Sequence, residues 1–234
     1  HSAITLSLVV SNNSTAGATS YSWNFGAGAT PATSTLFTPP AVTYNSSGTS
    51  MVTLVVNNFG CISSDTAYIT ISPVPVPVFS VIPANGCSPL AVTFNNTSAV
   101  TAGDTYAWNF GNGNTSTAQN PGGETYIAGV NDSIYTVTLT ITTAASCTAS
   151  ATTTITVHPL PVADFTALPD TVCATTPVAF LNNSSGATSF NWNFGDGSPV
   201  STQMSPSHPY ATQGNYTAQL IAITPFGCRD TVTS

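Results

Sequence analysis

The sequence predicts an all-β protein built from tandem β-sandwiches. Three observations carry this prediction. A seven-residue signature occurs three times, apolar and polar residues alternate along many short stretches, and turn residues return about every 8–12 residues, the spacing of sandwich strands. The signature reads Trp23-Asn24-Phe25-Gly26-Ala27-Gly28-Ala29, then Trp108-Asn109-Phe110-Gly111-Asn112-Gly113-Asn114, then Trp192-Asn193-Phe194-Gly195-Asp196-Gly197-Ser198. The tryptophans stand 85 and 84 residues apart. Self-similarity at a fixed period marks an array of one structural unit. No stretch shows a convincing helical period.

The elements of each repeat can be placed in order. Val92-Thr93-Phe94 and Val178-Ala179-Phe180 mark an early strand with period-two alternation. The signature follows: its Trp opens a strand that turns Trp and Phe inward, a large apolar contribution to a small core. Ala27-Gly28, Asn112-Gly113 and Asp196-Gly197 supply a tight hairpin turn, because Gly and Asn/Asp tolerate positive φ. Val52-Thr53-Leu54-Val55-Val56, Thr136-Val137-Thr138-Leu139-Thr140-Ile141 and Thr217-Ala218-Gln219-Leu220-Ile221-Ala222 form the next long strand. Tyr135 and Tyr216 precede Leu139 and Leu220 by four residues, as in a tyrosine corner, and Ser50 takes that place in the first repeat.

Boundaries are marked by proline. Ile69-Thr70-Ile71-Ser72-Pro73-Val74-Pro75 aligns with Ile155-Thr156-Val157-His158-Pro159-Leu160-Pro161, each the last strand of one repeat entering the first of the next. Spaced prolines favour extended, semi-rigid connectors, so the array is expected to be an extended rod. The expected domains are 1–73 with its first strand missing, 74–159, and 160–234 with its last strand truncated, as in a segment of a longer array.

Composition removes several function classes. The chain has no lysine, one arginine (Arg229), eight acidic residues and a net charge of −7. It lacks the basic footprint that nucleic acid or anionic lipid requires. The absence of lysine also excludes Schiff-base chemistry and a P-loop. No apolar run approaches the ~18 residues of a membrane span. Ser, Thr and Asn must wet the surface. Catalysis has little to stand on: the histidines are His1, His158 and His208, at the terminus, in a linker and in a recurring motif, with no metal-ligand spacing. No enzyme activity and no cofactor are expected.

Together the signature residues resemble the PKD (polycystic kidney disease) domain, a seven-stranded immunoglobulin-like sandwich. The family's Trp-Asn/Asp-Phe-Gly-Asp-Gly core is matched in full at 192–197, and its tail pattern by His208, Tyr210, Gly214, Tyr216 and Thr217. Trp23, Phe25, Trp108, Phe110, Trp192 and Phe194 are then the structural signature of the fold. The resemblance also brings in calcium, which some members of the family bind, yet Asp196 is replaced by Ala27 and Asn112, and Asp164 and Asp170 have no counterparts in the second repeat. Gly-Cys-x-Pro-Leu-x-Val-x-Phe at 86–94 and Gly-Cys-x-Asp-Thr at 227–231 resemble tandem PKD arrays in secreted surface proteins of Bacteroidota, among them long adhesins and gliding-associated proteins.

The resemblance frames the five cysteines, Cys61, Cys87, Cys147, Cys173 and Cys228. Cys87 and Cys173 fall at the turn into the second strand, the others in the hairpin between the last two strands. Pairing within a repeat would give Cys87–Cys147 and Cys173–Cys228. In an immunoglobulin-like sandwich these hairpins lie at opposite ends, roughly 23 Å apart along a seven-residue strand, beyond disulfide reach. Pairing across a boundary would give Cys87–Cys228, with Cys61 and Cys173 bonded outside this segment and Cys147 facing Ile4. Free thiols are the third alternative. Either disulfide implies an oxidising compartment.

Asp is followed by Thr or Ser in five of seven cases. Four of these resemble Bacteroidota O-glycosylation acceptors, placing candidate glycans on Thr66, Ser133, Thr171 and Thr231; the bland reading is that Asp-Thr begins a strand. Asn-x-Ser/Thr sequons such as Asn45, Asn114, Asn131 and Asn215 are coincidental in so Asn- and Thr-rich a chain. The expected function is a structural and adhesive extracellular segment, a stalk or filament at the cell surface. Its expected partners are neighbouring repeats of the same chain or filament and surface glycans or other cells, with no nucleic acid and no membrane insertion. The alternative is a substrate-binding or spacer region of a secreted hydrolase.

Overall fold

The computed structural model describes residues 6–14 and 17–234, and every regular element among them is a strand. Ile4, the residue expected to face Cys147, lies outside the described residues. The chain divides into two compact units: His1–Pro77 with Ala99–Thr105 and Thr140–Ser150, and Val78–Ser98 with Tyr106–Leu139 and Ala151–Ser234.

The first unit holds β1 (Leu6–Leu8), β2 (Ser20–Asn24), β3 (Ala29–Thr30), β4 (Thr33–Ser34), β5 (Val42–Tyr44), β6 (Gly48–Asn58) and β7 (Cys61–Ile71). One sheet runs β1-β5-β3 and the other β4-β2-β6-β7. Their inward residues, Trp23, Phe25, Val42, Tyr44, Val52 and Ile71, form the core. β6 and β7 stay in register from Gly48↔Ile71 to Asn58↔Cys61 and are joined by Phe59-Gly60 alone. Both turn residues have positive φ, 48° and 90°, the type I′ geometry whose twist suits a two-residue hairpin. The first unit also takes in the hairpin tip of the second repeat. Its loop is closed by Thr143 N donating to Cys147 O at 2.9 Å and Cys147 N donating to Thr143 Oγ1 at 3.2 Å. Cys147 Sγ lies 3.9 Å from Ser72 O.

The second unit holds the body of the second repeat and the whole of the third. The second repeat comprises β8 (Phe79–Ile82), β9 (Asn85–Cys87), β10 (Leu90–Asn96), β11 (Thr105–Asn109), β12 (Thr115–Ser116), β13 (Glu124–Tyr126), β14 (Ser133–Thr142) and β15 (Thr148–His158), in sheets β13-β10-β8 and β12-β11-β14-β15-β9. The third comprises β16 (Phe165–Leu168), β17 (Pro177–Asn182), β18 (Ser189–Asn193), β19 (Ser207–Pro209), β20 (Gln219–Ile223) and β21 (Arg229–Thr233), in sheets β16-β17-β19 and β18-β20-β21. Its core joins Phe165, Val178, Phe180, Trp192, Phe194, Ala218 and Leu220. Phe79 meets the edge of Trp108 at 5.1 Å and Phe165 that of Trp192 at 5.2 Å, so both repeats pack alike.

The signature works the same way three times. Each Trp is buried and its indole N–H donates to a loop carbonyl: Trp23 to Leu36, Trp108 to Ala118 and Trp192 to Gln203, at 3.1, 2.9 and 2.9 Å. Each Asn side chain accepts the amide of the residue two positions on, Gly26, Gly111 or Gly195, at 2.9 Å, an Asx turn. Each Phe carbonyl accepts a tyrosine hydroxyl, from Tyr44, Tyr126 or Tyr210, at 2.8, 2.9 and 3.1 Å. Burial pushes all three tyrosines above their ordinary pKa, Tyr126 to about 12, with Glu124 and Tyr135 adding to the effect there.

The structure corrects the expected tight turn. The hairpin loops are longer than two residues, with Asn24 pairing Thr33 and Asn109 pairing Thr115. The positive φ values fall on the flanking glycines, not on Ala27, Asn112 or Asp196. The first glycine is obligatory for space as well: a Cβ on Gly26, Gly111 or Gly195 would stand 2.8, 2.5 or 2.4 Å from the backbone carbonyl oxygen of Met51, Thr136 or Thr217. Tyr135 and Tyr216 do reach back to the upstream carbonyls of Ile127 and Thr212. Ser50, in their place, is buried and donates to Ala27 O at 3.0 Å.

Candidate functional site

The most developed polar and covalent cluster in the second unit lies where the second repeat meets the third. β15 ends at His158, which pairs in parallel with Cys87, the last residue of β9. Ser88 N donates to His158 O at 2.9 Å, so the chain leaving β9 stays clamped to the connector. Opposite stands the hairpin loop between β20 and β21. Thr224 N donates to Cys228 O at 2.9 Å, Cys228 N donates to Thr224 Oγ1 at 3.1 Å, and Gly227 adopts φ 82°. This loop places Cys228, 1% exposed, against Cys87, and the two are bonded across a sequence separation of 141 with Cα atoms 5.5 Å apart.

Two further interactions bracket the bond. The Phe226 ring stacks on the His158 imidazole, centroids 3.6 Å apart and planes within 8°. Asp132 Oδ1 lies 2.9 Å from His158 Nδ1. A carboxylate only accepts, so Nδ1 carries the proton in this contact. On the connector, Ala163 N donates to Asp230 Oδ2 at 2.8 Å, and Val162 exchanges two 2.9 Å backbone bonds with Ser185. The two repeats are thus joined by the chain, a disulfide and a ring stack, and a carboxylate on each side fixes the groups at the joint.

A second cluster sits beside the third signature. His208 Nε2 donates to Asp196 Oδ2 at 2.8 Å and its ring lies flat on Phe194, centroids 4.1 Å apart. Hydrogen bonds from Ser198 first, then from His208, hold the Asp196 carboxyl down to about 2. At the same place the second repeat joins Asn112 and Asn114 to Glu124 Oε2 at 3.1 and 2.8 Å, while the first repeat has Ala27 and Val42. An amide–carboxylate pair in the second repeat and a histidine–carboxylate pair in the third thus occupy one position. That interchange marks a fastening of the loop to the sheet; it leaves the Asp196 carboxylate occupied by protein donors. Among the described residues no group of acids, histidines and cysteines has the arrangement of a metal site.

The structure separates the sequence candidates. Cys87 and Cys228 are bonded. The pairings Cys87–Cys147 and Cys173–Cys228 are not made, and Cys61, Cys147 and Cys173 are free thiols, exposed, half-buried and exposed respectively. Thr66, Thr171 and Thr231 are exposed, while Ser133 is half-buried at the start of β14. Two of the associated aspartates have structural work: Asp132 holds His158, and Asp230 holds the connector. Sequence reasoning left His158 in a linker and missed its partners. A signal was present: the earlier boundary has Ser72 for His158 and Ala145 for Phe226, so both members are large at one boundary and both small at the other.

Repeated β-sandwiches with a covalent joint, and no catalytic constellation among the described residues, define a multi-domain modular β-protein. The profile of the PKD domain matches residues 73–157 and 158–234. The chain belongs to the PKD domain family. Among solved structures it is similar to the PKD1 domain of Vibrio anguillarum Epp, with 30% identity, 32% of this chain and 88% of that one covered, and a TM-score of 0.28. The PKD1 domain of the Vibrio cholerae metalloprotease PrtV gives 32% identity over 37% and 99%, with a TM-score of 0.28. The I-band fragment I67-I69 of titin gives 12% identity over 99% and 91%, with a TM-score of 0.49. No curated protein matches the chain. No helix among the described residues is long and apolar enough to cross a membrane.

Proposed function

We propose that this chain is a load-bearing spacer in an extracellular protein, an array of PKD sandwiches that forms a surface stalk or filament and carries an adhesive function away from the cell. The observation that supports it is the Cys87–Cys228 bond, which ties one repeat to the next independently of the polypeptide between them. A disulfide of this kind suits an oxidising compartment. A surface wetted by hydroxyl and amide groups, with a single arginine and no lysine, suits a spacer that must not adhere to its neighbours unspecifically. The proposed partners are adjoining repeats and, at the adhesive end, surface glycans or other cells.

The test is electron microscopy of source cells labelled with gold-conjugated antibody against this segment. Label strung along thin surface fibres is the expected result. Label confined to the medium, or to substrate particles away from cells, would replace this reading with the accessory region of a secreted hydrolase.

A further inference from the structure

The joint in the second unit has two halves, and each half occurs once more with its cysteine unbonded. One half is the tip Phe226-Gly227-Cys228. The same order, Phe59-Gly60-Cys61, caps the β6–β7 hairpin, with a loop one residue shorter. The other half is the base that carries Cys87. Cys173 stands five residues before Val178 as Cys87 stands five before Val92, and those valines pair with equivalent positions, His208 and Glu124.

The free tip is built to contact something. Phe59 is 89% exposed and holds φ 48°, a conformation rare for a bulky side chain, so the turn keeps an exposed aromatic at a backbone cost. It is also braced: Thr19 N and Oγ1 both donate to Asn57 O, at 2.8 and 2.9 Å, and Gly60 N donates to Asn57 Oδ1 at 2.9 Å. Cys61 follows with its thiol exposed, and Ile62 is 70% exposed. The free base presents an exposed Cys173 thiol at the rim of a cleft of about 420 Å³ lined by Phe165, Val172, Tyr210 and Tyr216.

We propose that the Phe59-Gly60-Cys61 tip of one copy seats on the Cys173 base of a second copy and closes a disulfide there. Tip and base are different surfaces, so the contact is heterologous and extends head to tail. The oxidant is a low-molecular-weight disulfide. The Cys61 thiolate attacks it, releasing one small thiol and leaving a mixed disulfide. The Cys173 thiolate then displaces the second small thiol, so two protein thiols are oxidised as one small disulfide is reduced to two thiols. Cys147 takes no part, being half-buried beside Ser72. The inference rests on the tip-and-base joint of the proposed spacer.

The experiment incubates the full 234-residue chain with glutathione disulfide and follows it by non-reducing electrophoresis and peptide mapping. A ladder of dimers, trimers and higher species, linked by a Cys61–Cys173 peptide, is expected. Cys61→Ser and Cys173→Ser each lose the ladder, and an equal mixture of the two variants stops at the dimer. A Cys61–Cys61 peptide, or monomer throughout with the Cys87–Cys228 peptide intact, would overturn the inference and leave the spacer reading standing. Absence of the Cys87–Cys228 peptide would overturn both.

Discussion

Removing the Cys87–Cys228 bond should change what the chain does under tension more than what it looks like at rest. The bond closes a loop with a sequence separation of 141, so those residues cannot be extended by a force applied at the termini while it holds. At a maximum of about 3.5 Å per residue, the 234-residue chain would reach ~820 Å when reduced and unfolded, but only ~330 Å when oxidised. About 490 Å of contour is therefore hidden. Chain entropy for a loop of this length stabilises the folded state by about 5 kcal/mol at 25 °C. The assay is single-molecule force spectroscopy with a handle at each terminus, comparing the oxidised chain with the Cys87→Ser/Cys228→Ser double variant. The variant should unfold at lower force and release the extra contour. Equal final extensions would refute the covalent joint. A full gain in extension with no change in unfolding force would leave the bond in place but refute its role in stability.

Three more expectations concern single residues. Gly195→Ala should destabilise the third repeat by about 3 kcal/mol, since φ is +79° and the new Cβ would meet Thr217 O at 2.4 Å, whereas Gly197→Ala, with nothing within 4 Å, should cost only about 1 kcal/mol; urea midpoints decide the order, and equal losses would contradict it. The Asp196 carboxyl sits at about 2 against an ordinary 3.8. The folded state therefore prefers the carboxylate, and this stabilisation, complete above about pH 4, is lost as pH falls toward 2. Urea midpoints of the parent chain should fall across that window relative to Asp196→Asn; parallel curves would show that the pair contributes nothing. Finally, native material should carry glycan mass at exposed Thr66, Thr171 or Thr231 before half-buried Ser133; an intact mass equal to the bare polypeptide ends the glycoprotein expectation.

Much of each sandwich was legible because its signals are local. The Trp and Phe of the signature are large apolar residues at alternate positions of a strand, and period-two alternation declares which face they take. The glycine after Phe was legible as a turn residue, but not as a site of backbone contact, since the carbonyls of Met51, Thr136 and Thr217 come from backbone about 25 residues further on. The Tyr44, Tyr126 and Tyr210 bonds to the Phe carbonyls were equally hidden, because each links the end of one strand to the loop that follows another, 16 to 19 residues away. At the joint, the cysteine spacing left three pairings open. His158 looked like a linker residue because its neighbours in sequence are prolines, while Phe226 and Asp132 reach it only through tertiary packing.

Repetition, alternation and turn chemistry were enough to establish the all-β class, the period of the array and the Trp and Phe at the heart of each core. These depend on interactions within a few positions of the chain, where spacing alone decides which side chains share a face. The partner of Cys87 was settled by three-dimensional placement, because residues separated by 141 positions meet only after two sandwiches have folded and brought a hairpin tip to a strand end. The same holds for the exchange of Asn112/Glu124 and Asp196/His208 at one location. Their chemistries differ so widely that no sequence pattern joins them, and only the shared geometry of the sheet and its loop shows that they do the same work.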